Sequence, residues 1–194
     1  FDCCEMFRGT GNWTSVHASR GLTCHDGFDV DGRRLRCGDL ASRSVFAELI
    51  GLAARGVVRE WHAGLPCVSF GTLRRPQVRS KAKPYGFNPK DPFTAYHNLL
   101  AMRTAFILTV AVMLGQFISV EQPRNSRLFL LNCFKTLVQL GCVISHFAFC
   151  AFGSGFQKAS KWLHNKPWLI PLECSCRCPK TKPHFIIQDR KSVV

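Results

Sequence analysis

Apolar residues fall in short runs that alternate with amphipathic stretches, and glycines mark the junctions. Residues 1–7 form an apolar run closed at once by Gly9-Thr10-Gly11, which predicts a buried strand entering a tight turn. Asn12 is placed to cap a helix through Ser19 that Gly21 stops. Residues 22–30 resume an extended pattern that ends at Asp29 and Asp31. Strand, glycine turn, helix and strand together make half of a βαβ unit. Ser42 or Ser44 then caps an amphipathic helix over 45–55, with Phe46, Leu49, Ile50 and Ala53 at helical spacing and Gly56 at its end. Residues 57–63 return to strand character and run straight into Gly64-Leu65-Pro66-Cys67.

Between 72 and 92 the pattern lapses into Arg, Lys, Pro and Gly, which predicts an exposed basic loop longer than an ordinary connection. A helix over 97–115, a buried strand over 117–120 and the sharp Glu121-Gln122-Pro123 follow. Asn125 or Ser126 caps a further helix to Leu140, and 142–150 reads as a strand. Strands alternating with helices predict an α/β protein, a Rossmann-like, doubly wound, mostly parallel sheet with helices on both faces. A length of 194 residues suits one domain, taken as 1–170 with a basic loop insertion at 72–94. Residues 171–194 are Cys-, Lys- and Pro-rich and read as an irregular tail apart from 185–187. The chain starts without Met inside an apolar run, so it is expected to be a piece of something longer.

Charge changes this picture more than composition does. The formal net charge of +14 favours polyanionic partners, nucleic acid first, because phosphate contacts release condensed counterions. The eleven cysteines lie mainly in apolar segments such as 133–150 rather than punctuating loops, which favours reduced, buried thiols over a disulfide scaffold. With no signal-peptide pattern at the N-terminus, the expected location is intracellular, nuclear or cytoplasmic. Two apolar stretches bear on a membrane: 105–120 is short for a span and carries Gln116, and 128–152 is interrupted by Asn132, Lys135, Gln139 and His146. The expectation is therefore no membrane, with buried helix and strand in their place.

The first chemical constellation is Glu5-Met6-Phe7-Arg8-Gly9-Thr10-Gly11, with Asp29 and Asp31 about twenty residues beyond. Glycines after a first strand admit a ligand close to the backbone, and an acid at the next strand end accepts hydrogen bonds from ribose hydroxyls. Gly38-Asp39, Gly64-Leu65-Pro66-Cys67 and Glu121-Gln122-Pro123 follow in order, each at or near a predicted strand end. In this order the chain resembles the DNA cytosine-5 methyltransferases over roughly residues 2–160. Their motifs run through a Phe-x-Gly-x-Gly cofactor turn, an acidic strand end, a Gly-Asp pair, a Pro-Cys loop and a Glu-Asn dipeptide. The resemblance implies S-adenosylmethionine as cofactor and methyl transfer to cytosine carbon 5 in DNA. It assigns Phe7, Gly9, Gly11 and Pro66 to the cofactor site, Asp29 or Asp31 to the ribose and Asp39 to the adenine amino group. Cys67 becomes the nucleophile that adds to cytosine carbon 6, and Glu121 the group that holds the ring edge. Arg127 is assigned to phosphate near the extruded base, while the net charge, rather than the resemblance, points Arg74, Arg75 and Arg79 of the basic loop toward nucleic-acid phosphate.

The chain departs from that pattern at Val68, where Gln is usual, and at Gln122-Pro123, where Asn-Val is usual. The Gln-x-Arg-x-Arg segment is echoed by Gln157-Lys158-Ala159-Ser160-Lys161, and no target-recognition region follows. These departures leave an alternative: a catalytically decayed, methyltransferase-like nucleic-acid-binding module in a larger multidomain or mobile-element protein. A two-span membrane protein is the third reading. No metal is assigned. Cys174-x-Cys176-x-Cys178 with His184 is spaced more tightly than the usual Cys-x-x-Cys of zinc sites, and free thiols are the expectation there. The phenylalanines at 147, 149, 152 and 156 are expected in the core rather than as a base-stacking platform.

Overall fold

Strands β1 (Cys3–Met6), β2 (Glu60–Ala63) and β3 (Phe117–Pro123) are parallel neighbours in the computed structural model, which describes residues 1–30, 38–179 and 184. Beyond β3 the sheet turns antiparallel: β4 (Val143–Ala148) lies at the edge, and β5 (Ala159–His164) inserts between β3 and β4. The protein is therefore α/β, with a five-stranded mixed sheet in the order β1-β2-β3-β5-β4.

Because successive side chains on a strand point to opposite faces, the register sorts the sheet into two chemically different surfaces. Cys4, Met6, Trp61, Ala63, Ile118, Val120 and Leu163 form the core with helices α2 (Arg43–Ala54), α3 (Pro92–Met113) and α4 (Asn132–Gln139). The opposite row, Glu5, His62, Ser119 and His164, is polar yet buried. Helix α1 (Asn12–Ala18) sits on that side, where Trp13 stacks on His62 at 5.0 Å and Thr14 bonds Glu5.

Helix α3 begins at Pro92 because Asp91 caps it, accepting from the Thr94 amide at 3.0 Å, and proline suits the first helical turn. It is long and apolar enough to cross a membrane, the one such helix among the described residues, and half of that apolar window is buried inside the protein. A core helix passes the same test. At its C-terminal end Gln116 accepts from Trp61 Nε1 and donates to the Ala53 carbonyl, both at 2.7 Å, which ties β2 and α2 to the start of β3.

Three elements differ from the sequence-based expectation. Residues 22–30 make only two single parallel bridges to β1, Cys3 with Cys24 and Met6 with Phe28, instead of a full strand. The helix expected through Leu140 is a 3₁₀ turn at Leu128–Leu130 followed by α4, with extended backbone at Leu131 between them. The antiparallel strand β5 falls where no strand is expected, so the sheet is mixed rather than mostly parallel.

Candidate active site at the strand ends

The register aligns Met6 with Ala63 and Ala63 with Val120, so the carboxyl ends of β1, β2 and β3 lie side by side. That is the edge at which an open α/β sheet places its chemistry.

At the first end the chain turns sharply. Phe7, Gly9 and Gly11 all adopt positive φ (59°, 53° and 71°), unusual for Phe7 because it carries a Cβ. The Phe28 carbonyl fixes Phe7 by accepting its amide at 2.7 Å, and the Asp29 carboxylate accepts the Gly9 amide at 2.8 Å. A Cβ on Gly11 would stand 2.5 Å from Arg8 Nε, so the turn has no room for a side chain unless Arg8 moves. Arg8 donates to the Asp26 carbonyl at 2.6 Å, while its Nε is buried with no hydrogen-bond partner among the described residues. Behind the turn, buried Glu5 accepts from the amide and hydroxyl of Thr14; burial raises its pKa and the Thr14 bonds oppose that rise.

Asp29 also joins the Gly-Asp pair, since its carbonyl accepts the Gly38 amide at 2.8 Å. Gly38 packs against Phe28, whose Cβ would lie 3.0 Å from a Cβ at that position. Asp39 accepts from the Ala41 amide at 2.8 Å and from the Tyr96 hydroxyl at 3.2 Å. Burial first, and then Asp39, raises the Tyr96 pKa. Asp31 lies outside the described residues.

The Pro-Cys loop leaves β2 at Gly64, whose amide donates to the Met6 carbonyl at 3.2 Å. Leu65 and the pair Ser69 and Phe70 are buried, whereas Pro66, Cys67 and Val68 are exposed at the tip. Both flanks of the tip are held from the end of β3 and the turn that follows it. The Gln122 amide donates to the Leu65 carbonyl at 2.7 Å, and the Arg127 amide to the Phe70 carbonyl at 3.0 Å. Ser126 in turn donates to Gln122 Oε1 at 2.8 Å. Gln122 thus acts as a brace of the candidate nucleophile's loop, a role that spacing alone does not reveal.

Glu121 stands on β3 opposite Trp162 of β5. Its carboxylate accepts from the Ser160 hydroxyl and forms an ion pair with Lys158 Nζ at 3.4 Å. Lys161 reaches across to the Ser126 carbonyl at 2.7 Å, and burial lowers its pKa. The segment 157–161 therefore surrounds Glu121 and its loop through a strand pairing that the sequence pattern does not announce.

The basic loop is more tightly held than its composition predicts. Arg79, expected at the surface, is fully buried. Its guanidinium stacks 4.0 Å from the Phe70 ring centre and donates to Ser69 Oγ, the Pro84 carbonyl and Asn98 Oδ1 at 2.7–2.8 Å. Burial and the nearby Arg127 lower its pKa to about 10. This corrects the assignment to nucleic acid: in this structure the Arg79 side chain braces the loop and does not face a duplex. Arg74 lies over Phe93 at 4.1 Å, and Arg127 donates to Gln77 Oε1 at 2.9 Å. Arg75, Lys81, Lys83 and Lys90 are exposed. No protein-family model matches the chain, and no curated protein matches it.

Proposed function

We propose that this chain is a Rossmann-like methyltransferase domain that uses S-adenosylmethionine to methylate carbon 5 of cytosine in DNA. The observation that carries the reading is the meeting of three motifs at one sheet edge: the glycine turn after β1, the braced Pro-Cys loop after β2 and Glu121 on β3. Helices on both faces and the parallel bridges of 24–28 to β1 support the doubly wound arrangement.

The polar groups around the turn fit the cofactor. Arg8 Nε, buried and without a hydrogen-bond partner among the described residues, suits a carboxylate, Asp29 beside Gly9 suits ribose hydroxyls, and Asp39 suits an exocyclic amine. S-adenosylmethionine supplies an electrophilic methyl group bound to sulfonium sulfur. On the protein side, the Cys67 thiolate adds to cytosine carbon 6, which converts carbon 5 into an enamine-like nucleophile. Glu121, held by Ser160 and Lys158, is positioned to hydrogen-bond the ring edge where charge develops. After methyl transfer, loss of the carbon 5 proton expels the thiolate and restores the ring. The exposed Arg75, Lys81, Lys83 and Lys90 suit phosphate contacts near an extruded base.

The test uses duplex DNA carrying 5-fluorocytosine, because fluorine blocks the proton loss that releases the enzyme. The wild type is expected to form a covalent adduct when S-adenosylmethionine is present, and Cys67→Ser none. Calorimetric titration with S-adenosylhomocysteine should show binding that Cys67→Ser keeps and Gly11→Asp abolishes. Cofactor and DNA binding with no adduct and no methyl transfer would make the chain a decayed binding module. Equal S-adenosylhomocysteine affinity in wild type and Gly11→Asp would remove the glycine turn from the cofactor site.

A further inference from the structure

Away from the strand-end site, the far edge of the sheet gathers four metal-ligating side chains from separated stretches of chain. Cys150 lies in the 3₁₀ turn Phe149–Phe152 that follows β4, and it is buried. Cys176 and Cys178 come from the segment after the 3₁₀ helix Pro167–Leu172, and His184 from beyond it. Their three sulfurs and one imidazole nitrogen all lie within 4.8 Å of one another, with Cys176 Sγ 3.7 Å from His184 Nε2. In a tetrahedral zinc site, bonds of ~2.3 Å to sulfur put neighbouring ligand atoms about 3.8 Å apart. Cys176 and His184 already stand at that separation, and no pair in the cluster exceeds 4.8 Å.

We propose that Cys150, Cys176, Cys178 and His184 form a structural zinc site that fastens the C-terminal segment to the end of β4. The ligand set, three thiolates and one imidazole, fills four positions and leaves none for water, as structural zinc sites do. Cys176 and Cys178 supply two of the four ligands from one segment. Cys174, two residues earlier, is not among the four. Its amide instead donates to the His146 carbonyl at 3.0 Å, which docks the segment on β4 and brings the next two cysteines to Cys150. Zinc would bridge the end of β4 and the segment after Leu172, and because the unfolded chain offers no preformed site, its binding free energy would add to the stability of the fold.

The site is independent of methyl transfer, so each can fail without the other. Elemental analysis of the full chain, purified under reducing conditions with zinc available, is expected to find about one zinc per chain. Cobalt exchange should give thiolate-to-metal charge transfer and the visible bands of a tetrahedral centre. Cys150→Ser, Cys178→Ser and His184→Ala should each lower metal content at least tenfold under a competing chelator, and Cys174→Ser should leave it unchanged. Should Cys150→Ser fail to fold, His184→Ala and the wild-type stoichiometry still decide. A folded wild type with no bound metal overturns the proposal. So does a disulfide among these thiols in the freshly purified protein, or dependence on Cys174 rather than Cys150.

Discussion

Arg79 shows how far residue type alone can mislead. Its neighbours 72–83 are rich in Arg, Lys and Pro, and every local signal says solvent. The guanidinium is nevertheless buried because Ser69, Pro84 and Asn98 offer oxygens to its fork of donors and Phe70 offers a ring face. A lysine could satisfy one of these acceptors but not the whole set. Arg79→Lys is therefore expected to destabilise the fold by about 2–3 kcal/mol in urea unfolding, as loss of charge-assisted buried bonds does. Arg75→Ser should leave stability nearly unchanged and lower the salt dependence of DNA binding by about one unit of slope. Equal stability of Arg79→Lys and the wild type would refute the bracing role.

At the scale of elements, the candidate site depends on one connection holding another. The Pro-Cys loop has no regular structure, and its tip is exposed, yet Leu65 and Phe70 on its two flanks are hydrogen-bonded, one by Gln122 at the end of β3 and the other by Arg127 in the chain that leaves it. Gln122→Ala leaves the Leu65 carbonyl and the Ser126 hydroxyl without their amide partner. The expected cost is roughly 1–3 kcal/mol for buried groups left unsatisfied. The variant should also alkylate faster at Cys67, measured by mass spectrometry under native conditions, because the loop loses one of its two clamps. An unchanged alkylation rate would mean that the Arg127–Phe70 bond and packing hold the loop by themselves. Gln122 departs from the Asn that the resemblance leads one to expect, but it is still an amide and serves as a donor and an acceptor at once.

Taken as a whole, the molecule buries histidines on the polar face of its sheet, and that sets its response to acid. His62 is stacked on Trp13, lies 5.4 Å from Trp162 and bonds Ser119 Oγ at 2.9 Å. Burial, then the charges of Lys166, His17 and Lys158, lowers its pKa from 6.5 to about 3. Between those values the unfolded chain binds the proton and the folded chain does not. Stability is therefore full above about pH 6.5 and falls with pH by up to ~1.4 kcal/mol per unit for one such group. His97 and His164 shift in the same direction, each mainly through burial. Urea midpoints should fall steadily between pH 6.5 and 4.5, and His62→Gln should flatten that slope whatever its effect at pH 7. An identical slope in wild type and variant would show that His62 is not the group responsible.

Local pattern was sufficient where an element's burial shows in its own residues. The apolar run of β1, the glycine turn, the helix ending at Ala54 and the apolar half of β3 can all be read from the chain, because each needs only its neighbours in sequence to declare itself. The motif order at the strand ends was legible for the same reason. What required the tertiary structure depends on partners far apart in the chain. Strand β5 carries Lys, Ser and Trp and becomes a strand because β3 and β4 flank it on either side. Gln122 reaches Leu65 across 57 positions, and Arg79 reaches Asn98 across 19. Cys150 sits in an apolar run where a cysteine reads as a small hydrophobe, and its ligand chemistry emerges only when the segment carrying Cys176 and Cys178 folds back on it. Apolar runs and glycine turns can thus be read along the chain, whereas the burial of Arg79, the pairing of β5 and the meeting of distant polar groups depend on the folded neighbours, because hydrogen bonds and ligand spheres are satisfied in space.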